Sequence, residues 1–189
     1  RAVDIYGSTK MPNLQHQWMS PDGTRLFGVY IYSGGKASQF DLTTAWDLSS
    51  IQLASKKTFS LGSDYPSCMF MTEDGSKLYV LYNNGYNVNH YSLSTAFDIT
   101  SAALEYTISL ASTDWIEYED DNITKALQAG GFTMSADGTR VFLCSTQGAI
   151  SEIRLASAWD WRTRTQTDWP VFPFNEYGNV LDSFPDYYP

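Results

Sequence analysis

Two short motifs each recur three times along this chain, and they recur in step. The first reads Met-Ser-Pro-Asp-Gly-Thr-Arg-Leu-Phe from Met19, Met-Thr-Glu-Asp-Gly-Ser-Lys-Leu-Tyr from Met71, and Met-Ser-Ala-Asp-Gly-Thr-Arg-Val-Phe from Met134. The second reads Asp-Leu-Thr-Thr-Ala-Trp-Asp-Leu from Asp41, Ser-Leu-Ser-Thr-Ala-Phe-Asp-Ile from Ser92, and Arg-Leu-Ala-Ser-Ala-Trp-Asp-Trp from Arg154. Asp22 and Asp74 are 52 residues apart, and Asp74 and Asp137 are 63 apart. Asp47, Asp98 and Asp160 follow at intervals of 51 and 62. One period shared by two motifs, with the same extra length in the second interval, marks three copies of one supersecondary unit.

Each copy reads as four short strands. The Asp-Gly pairs supply the positive φ of a tight hairpin between the first two. The second strands, Leu26 to Tyr30, Leu78 to Tyr82 and Val141 to Cys144, are apolar on both faces, which predicts cover on both sides. The third strands alternate: Phe40 and Leu42, Tyr91 and Leu93, and Ile153 and Leu155 share a packed face. Gln39 and Asp41, His90 and Ser92, and Glu152 and Arg154 share the other, which reads as wetter. No 3.6-residue period competes with this pattern. The reading is an all-β, β-propeller-like array of about three four-stranded antiparallel blades. It has a leading strand at 1–10, blade one at 13–62, blade two at 66–111, an insertion at 112–128, blade three at 129–172 and an irregular aromatic tail at 173–189.

Propellers close with four to eight blades, so three form an incomplete ring with open ends that invite association. A longer protein, a second copy of the chain, or stacking of open blades against a larger assembly would each cover them. The chain has 189 residues, 15% aromatic and 17% charged, which favours a half-buried pleated fold. A net charge of -9 disfavours nucleic-acid binding. Membrane insertion is not expected either, because no apolar run approaches the roughly 18 residues that span a bilayer. The chain opens Arg-Ala-Val-Asp, without a basic segment followed by an apolar one, so no signal peptide is expected.

The motifs resemble YVTN- and WD40-like blades. More narrowly, they are similar to the Ser-Pro-Asp-Gly-Thr and Leu-Ser-Thr-Ala-Trp-Asp repeats of virion-associated proteins in tailed bacteriophages and of some bacterial surface proteins. The resemblance covers residues 1 to about 172. It implies a structural or adhesive virion or extracellular component, with other virion or surface proteins, further copies of itself, or glycans as partners. It carries over no catalytic residue.

The insertion holds the candidate binding residues Trp115, Glu117, Tyr118, Glu119, Asp120 and Asp121. Insertions on a rigid scaffold are where binding concentrates. The carboxylates can serve Ca²⁺, and the aromatic rings a sugar or a neighbouring subunit, although no EF-hand spacing is present. A solvated acidic loop explains the same residues. His90 reads as solvated. His16 aligns with Cys68 and Gly131 on the first strands, a pairing that invites a thiol–imidazole nucleophile but lacks a third orienting group. Trp46, Phe97 and Trp159 read as rings packed between blades, with Asp47, Asp98 and Asp160 capping the turns that follow. No phosphate loop, dinucleotide fingerprint, metal-binding cluster or hydrolase elbow is present, so no cofactor and no enzymatic activity are expected.

Overall fold

The computed structural model describes residues 13–31, 34–62, 65–82, 87–110, 117–120, 123–126, 129–145 and 150–165. Three four-stranded antiparallel sheets account for most of them, each running in chain order from first strand to fourth. Blade one is β1 (Leu14–Met19), β2 (Arg25–Tyr30), β3 (Lys36–Leu42) and β4 (Ile51–Ser60). Blade two is β5 (Pro66–Met71), β6 (Lys77–Tyr82), β7 (Asn87–Leu93) and β8 (Ala102–Ser109). A two-stranded ribbon follows, β9 (Glu117–Asp120) with β10 (Ile123–Ala126). Blade three is β11 (Ala129–Met134), β12 (Arg140–Ser145), β13 (Ile150–Leu155) and β14 (Arg164–Thr165). The architecture is all-β and propeller-like. Blades one and two belong to one compact unit, residues 1–112, and blade three to a second, 113–189. Each first strand carries a register shift at the same place, between Leu14 and His16, Pro66 and Cys68, and Ala129 and Gly131.

The two repeated motifs touch. In each blade the Asp-Gly turn is closed by its own carboxylate: Asp22 accepts from the Ser20 hydroxyl at 2.6 Å and the Thr24 N–H at 3.0 Å. Asp137 accepts likewise from Ser135 and Thr139. The aromatic residue of the second motif then donates its N–H to the turn glycine: Trp46 to Gly23, Phe97 to Gly75 and Trp159 to Gly138, at 2.8 to 3.0 Å. Its ring lies over that glycine, where a Cβ would collide with it. The aromatic residues adopt left-handed backbones to reach this position, with φ of 64°, 58° and 66°. Such conformations cost on the order of 1–3 kcal/mol each and persist only when the surroundings enforce them. The ring therefore seals its own blade first, a tighter role than packing between blades. The following Asp47, Asp98 and Asp160 cap short 3-10 turns, accepting from the N–H groups of Ser49, Thr100 and Arg162.

Burial of the second strands follows the sequence in two blades of three. From Leu26 to Tyr30 and from Leu78 to Tyr82 every residue is buried. Blade three differs: Val141 and Leu143 are buried, while Phe142 is half-buried and Cys144 exposed. One face of its second strand is open. The wetter faces of the third strands in blades one and two are wet only in part: Asp41 and Ser92 are half-buried, but Gln39 and His90 are 2% and 3% exposed.

The clip predicts a specific cost. Gly75→Ala places a Cβ 2.5 Å from the Phe97 ring at φ +68°, and should lower unfolding stability by about 2–4 kcal/mol. Combining it with Phe97→Ala removes the collision, so denaturant titration of the double variant should show a loss smaller than the two single losses added.

Candidate functional site

Blades one and two show how one blade of this type receives the next. Phe27, Val29, Ala37 and Leu61 of blade one form a single core with Met69, Met71, Leu78, Val80, Tyr91 and Ile99 of blade two. Four contacts from blade one hold the clip corner of blade two. The Gln39 side-chain oxygen accepts the Ile99 N–H at 3.1 Å, satisfying a donor that the 3-10 turn leaves over. Lys57 Nζ donates to Asp98 Oδ2 at 2.8 Å. Trp18 lies nearly parallel to Phe97, with centroids 6.4 Å apart, and the Arg25 guanidinium sits 5.7 Å over the same ring. Burying Ile99 completely contributes about 1.5–3 kcal/mol. In the same core the hydroxyls of Tyr82 and Tyr91 lie 2.8 Å apart, and both reach the Leu61 carbonyl. Burial drives the Tyr82 phenol well above its ordinary range, so it stays protonated and available as a donor.

The acidic side of this junction is electrostatically tuned. Hydrogen bonding from Lys57, reinforced by Thr100, holds the Asp98 carboxyl down to about 2. Outside the junction, in blade one's own hairpin turn, the Ser20 hydroxyl and Thr24 N–H hold Asp22 down likewise, also to about 2. Stability from these groups is complete above the unfolded carboxylate range near 4 and is lost as pH falls toward 2.

His16 also belongs to the junction. Its Nδ1 accepts the Met69 N–H at 3.5 Å, which requires the neutral imidazole, and burial lowers its pKa from 6.5. Cys68 is not its catalytic partner. Cys68 pairs with Leu81, on the sheet face opposite the Met69–Val80 face that meets blade one. The sheet of blade two thus stands between imidazole and thiol. His90 is likewise not solvated. It lies between the rings of Tyr79 and Tyr106, at 4.7 and 4.6 Å, with Nδ1 3.3 Å from Glu105 Oε2.

Blade three carries two members of this receiving set on its open face, with Thr133 in place of Trp18. Register places Phe142 opposite Glu152 as Phe27 is opposite Gln39, and Thr133 opposite Phe142 as Trp18 is opposite Phe27. Glu152 therefore stands at the Gln39 position and Arg140 at the Arg25 position. Glu152 Oε1 lies 3.2 Å from Arg154 Nε and 3.6 Å from an Arg140 guanidinium nitrogen. Of the binding residues read from the insertion, Glu117, Tyr118, Glu119 and Asp120 form β9. Trp115 and Asp121 lie outside the described residues. The acidic stretch is thus a ribbon strand, not a loop throughout. Among the described residues no group of His, Cys, Asp and Glu is arranged to hold a metal ion, and no helix is long and apolar enough to cross a membrane. The receiving set was missed because Gln39, Glu152, Arg25 and Arg140 look like ordinary polar strand residues; their equivalence across the repeat was the available signal.

Solved structures share this fold at low identity. A protein of Lactobacillus plantarum is 12% identical, with a TM-score of 0.56 over 82% of this chain and 40% of its own. A protein from Bacteroides uniformis is 14% identical, with a TM-score of 0.54 over 87% of this chain and 45% of its own. One from Bacteroides fragilis is 13% identical, with a TM-score of 0.51 over the same shares. The chain spans less than half the length of these structures. No family model matches it, and no curated protein matches it by sequence. Both Bacteroides proteins are described as "putative 6-phosphogluconolactonase", which overturns the expectation that a chain of this fold is no enzyme. The physical reason is that blades are a rigid frame, and chemistry resides in loops that no short motif betrays.

Two measurements check the junction. Gln39→Leu leaves the Ile99 N–H buried without its acceptor, and denaturant titration should show a loss of about 1–3 kcal/mol. His16 is lowered on folding, so the unfolded chain takes up its proton first; stability is full above pH 6.5 and falls below it. His16→Gln should flatten the decline in melting temperature between about pH 7 and 5.

Proposed function

We propose that this chain is a docking or adhesion platform built from propeller blades, a component of a tailed-phage virion or of a cell surface. The observation that carries this reading is the open face of blade three. Phe142 is half-buried and Cys144 exposed there, at positions that in blades one and two are fully buried. Apolar surface at a strand centre, rimmed by Arg140, Glu152 and Arg154, has the make-up of an interaction face: an apolar middle and a charged border. The resemblance of the motifs to phage virion repeats supports the virion setting. The acidic surface supports a protein or glycan partner over nucleic acid.

A photoreactive benzophenone attached at Cys144, introduced into native particles or host-surface preparations, tests this directly. The docking reading expects covalent adducts between Cys144 and a structural or surface protein. Capture of solvent, or adducts formed only within a single copy of the chain, would remove its support.

A further inference from the structure

Resting on that reading, we propose that the open face of blade three receives the exposed clip corner of blade one from a second copy of this chain. The junction between blades one and two supplies the template, and both halves of a further junction are exposed.

The receiving half is blade three. Its Glu152 carboxylate stands where Gln39 accepts a 3-10 turn N–H, and a charged acceptor makes a stronger bond than a carboxamide. Its Arg140 stands where Arg25 covers the Phe97 ring, with Phe142 beside it in the place of Phe27. The Arg140 side chain is 53% exposed, free to be covered.

The inserting half is the clip corner of blade one. On blade two the matching corner is docked: Ile99 is fully buried, and Phe97 packs against Trp18 and Arg25. On blade one, Leu48 at the Ile99 position is 44% exposed, and Trp46 at the Phe97 position is 63% exposed. Tryptophan is the better ring for a guanidinium, and the Leu48 N–H is the donor that Glu152 would accept. The middle of that blade-one face, Leu26, Phe40 and Leu42, is already buried. Docking is therefore confined to the corner, and the contact is smaller than the roughly 1,000 Å² of a stable interface, so association is weak. The junction is head-to-tail, and its repetition builds either a closed pair or a chain of copies.

Cys144 reports on the face without being part of the chemistry. The test is the rate of maleimide labelling at Cys144 in the full chain, from about 5 μM to 1 mM protein, beside sedimentation velocity. The expected result is a fall in labelling rate of about tenfold across that range, with larger species at the upper end. Leu48→Asp and Glu152→Ala should each keep labelling fast at every concentration, while Glu152→Gln, which keeps an acceptor, should restore protection. Melting temperatures near wild type show that the exposed-residue variants are folded. Labelling independent of concentration, together with a monomer at 1 mM, overturns the proposal. Protection that survives Leu48→Asp overturns it as well, because blade one is then not the occupant. Adducts with other proteins in native particles, with no self-association, would sink this inference and leave the platform reading standing.

Discussion

The structure depends on one local contact, the aromatic ring of the second motif lying on the glycine of the first. Three residues accept a left-handed backbone to make it, and three glycines lack the Cβ that would block it. The contact ties the hairpin between strands one and two to the connection between strands three and four. Each blade is therefore pinned at both ends of its meander before any neighbour is added. This is the physical reason that the two motifs keep a common spacing even where the chain lengthens between blades two and three. The added residues enter between blades, where no clip spans them.

The same corner then serves a second purpose. Once the ring has sealed its own turn, its outer side and the 3-10 turn behind it face outward with a leftover N–H and an apolar residue. In blade two these are met by a carboxamide, an ammonium, a guanidinium and an indole from blade one. Polar residues that look solvent-directed in the sequence are there because the neighbouring turn needs an acceptor. Buried polar groups are retained where they satisfy such a donor, and Gln39 is an instance.

The fold was largely legible in the sequence, because hairpin chemistry and strand periodicity are local. The three Asp-Gly turns, the strand pairs around them and the capping aspartates follow from φ preferences and side-chain reach. Placement against a neighbouring blade was not legible. Gln39 and His90 lie on the polar side of an alternating strand, yet both are buried, since alternation records polarity and not what covers it. Cys68 and His16 align in the repeat but fall on opposite sides of a sheet, because equivalent positions in successive blades point the same way and so cannot face each other. The open side of blade three was equally hidden. Its strand is as apolar as the others, and only accessibility separates Phe142 from Phe27. The fold's association with enzymes also lay beyond motif reading.

If blade three offers a docking face, Phe142 is the residue whose environment must change most when the chain takes up its working state. Hydroxyl-radical footprinting of the isolated chain and of the chain in its native assembly measures that change at one side chain. Docking requires strong oxidation of Phe142 in isolation and marked protection in the assembly, with Phe27 and Phe40 protected in both. Equal oxidation of Phe142 in the two states would contradict a docking role for this face.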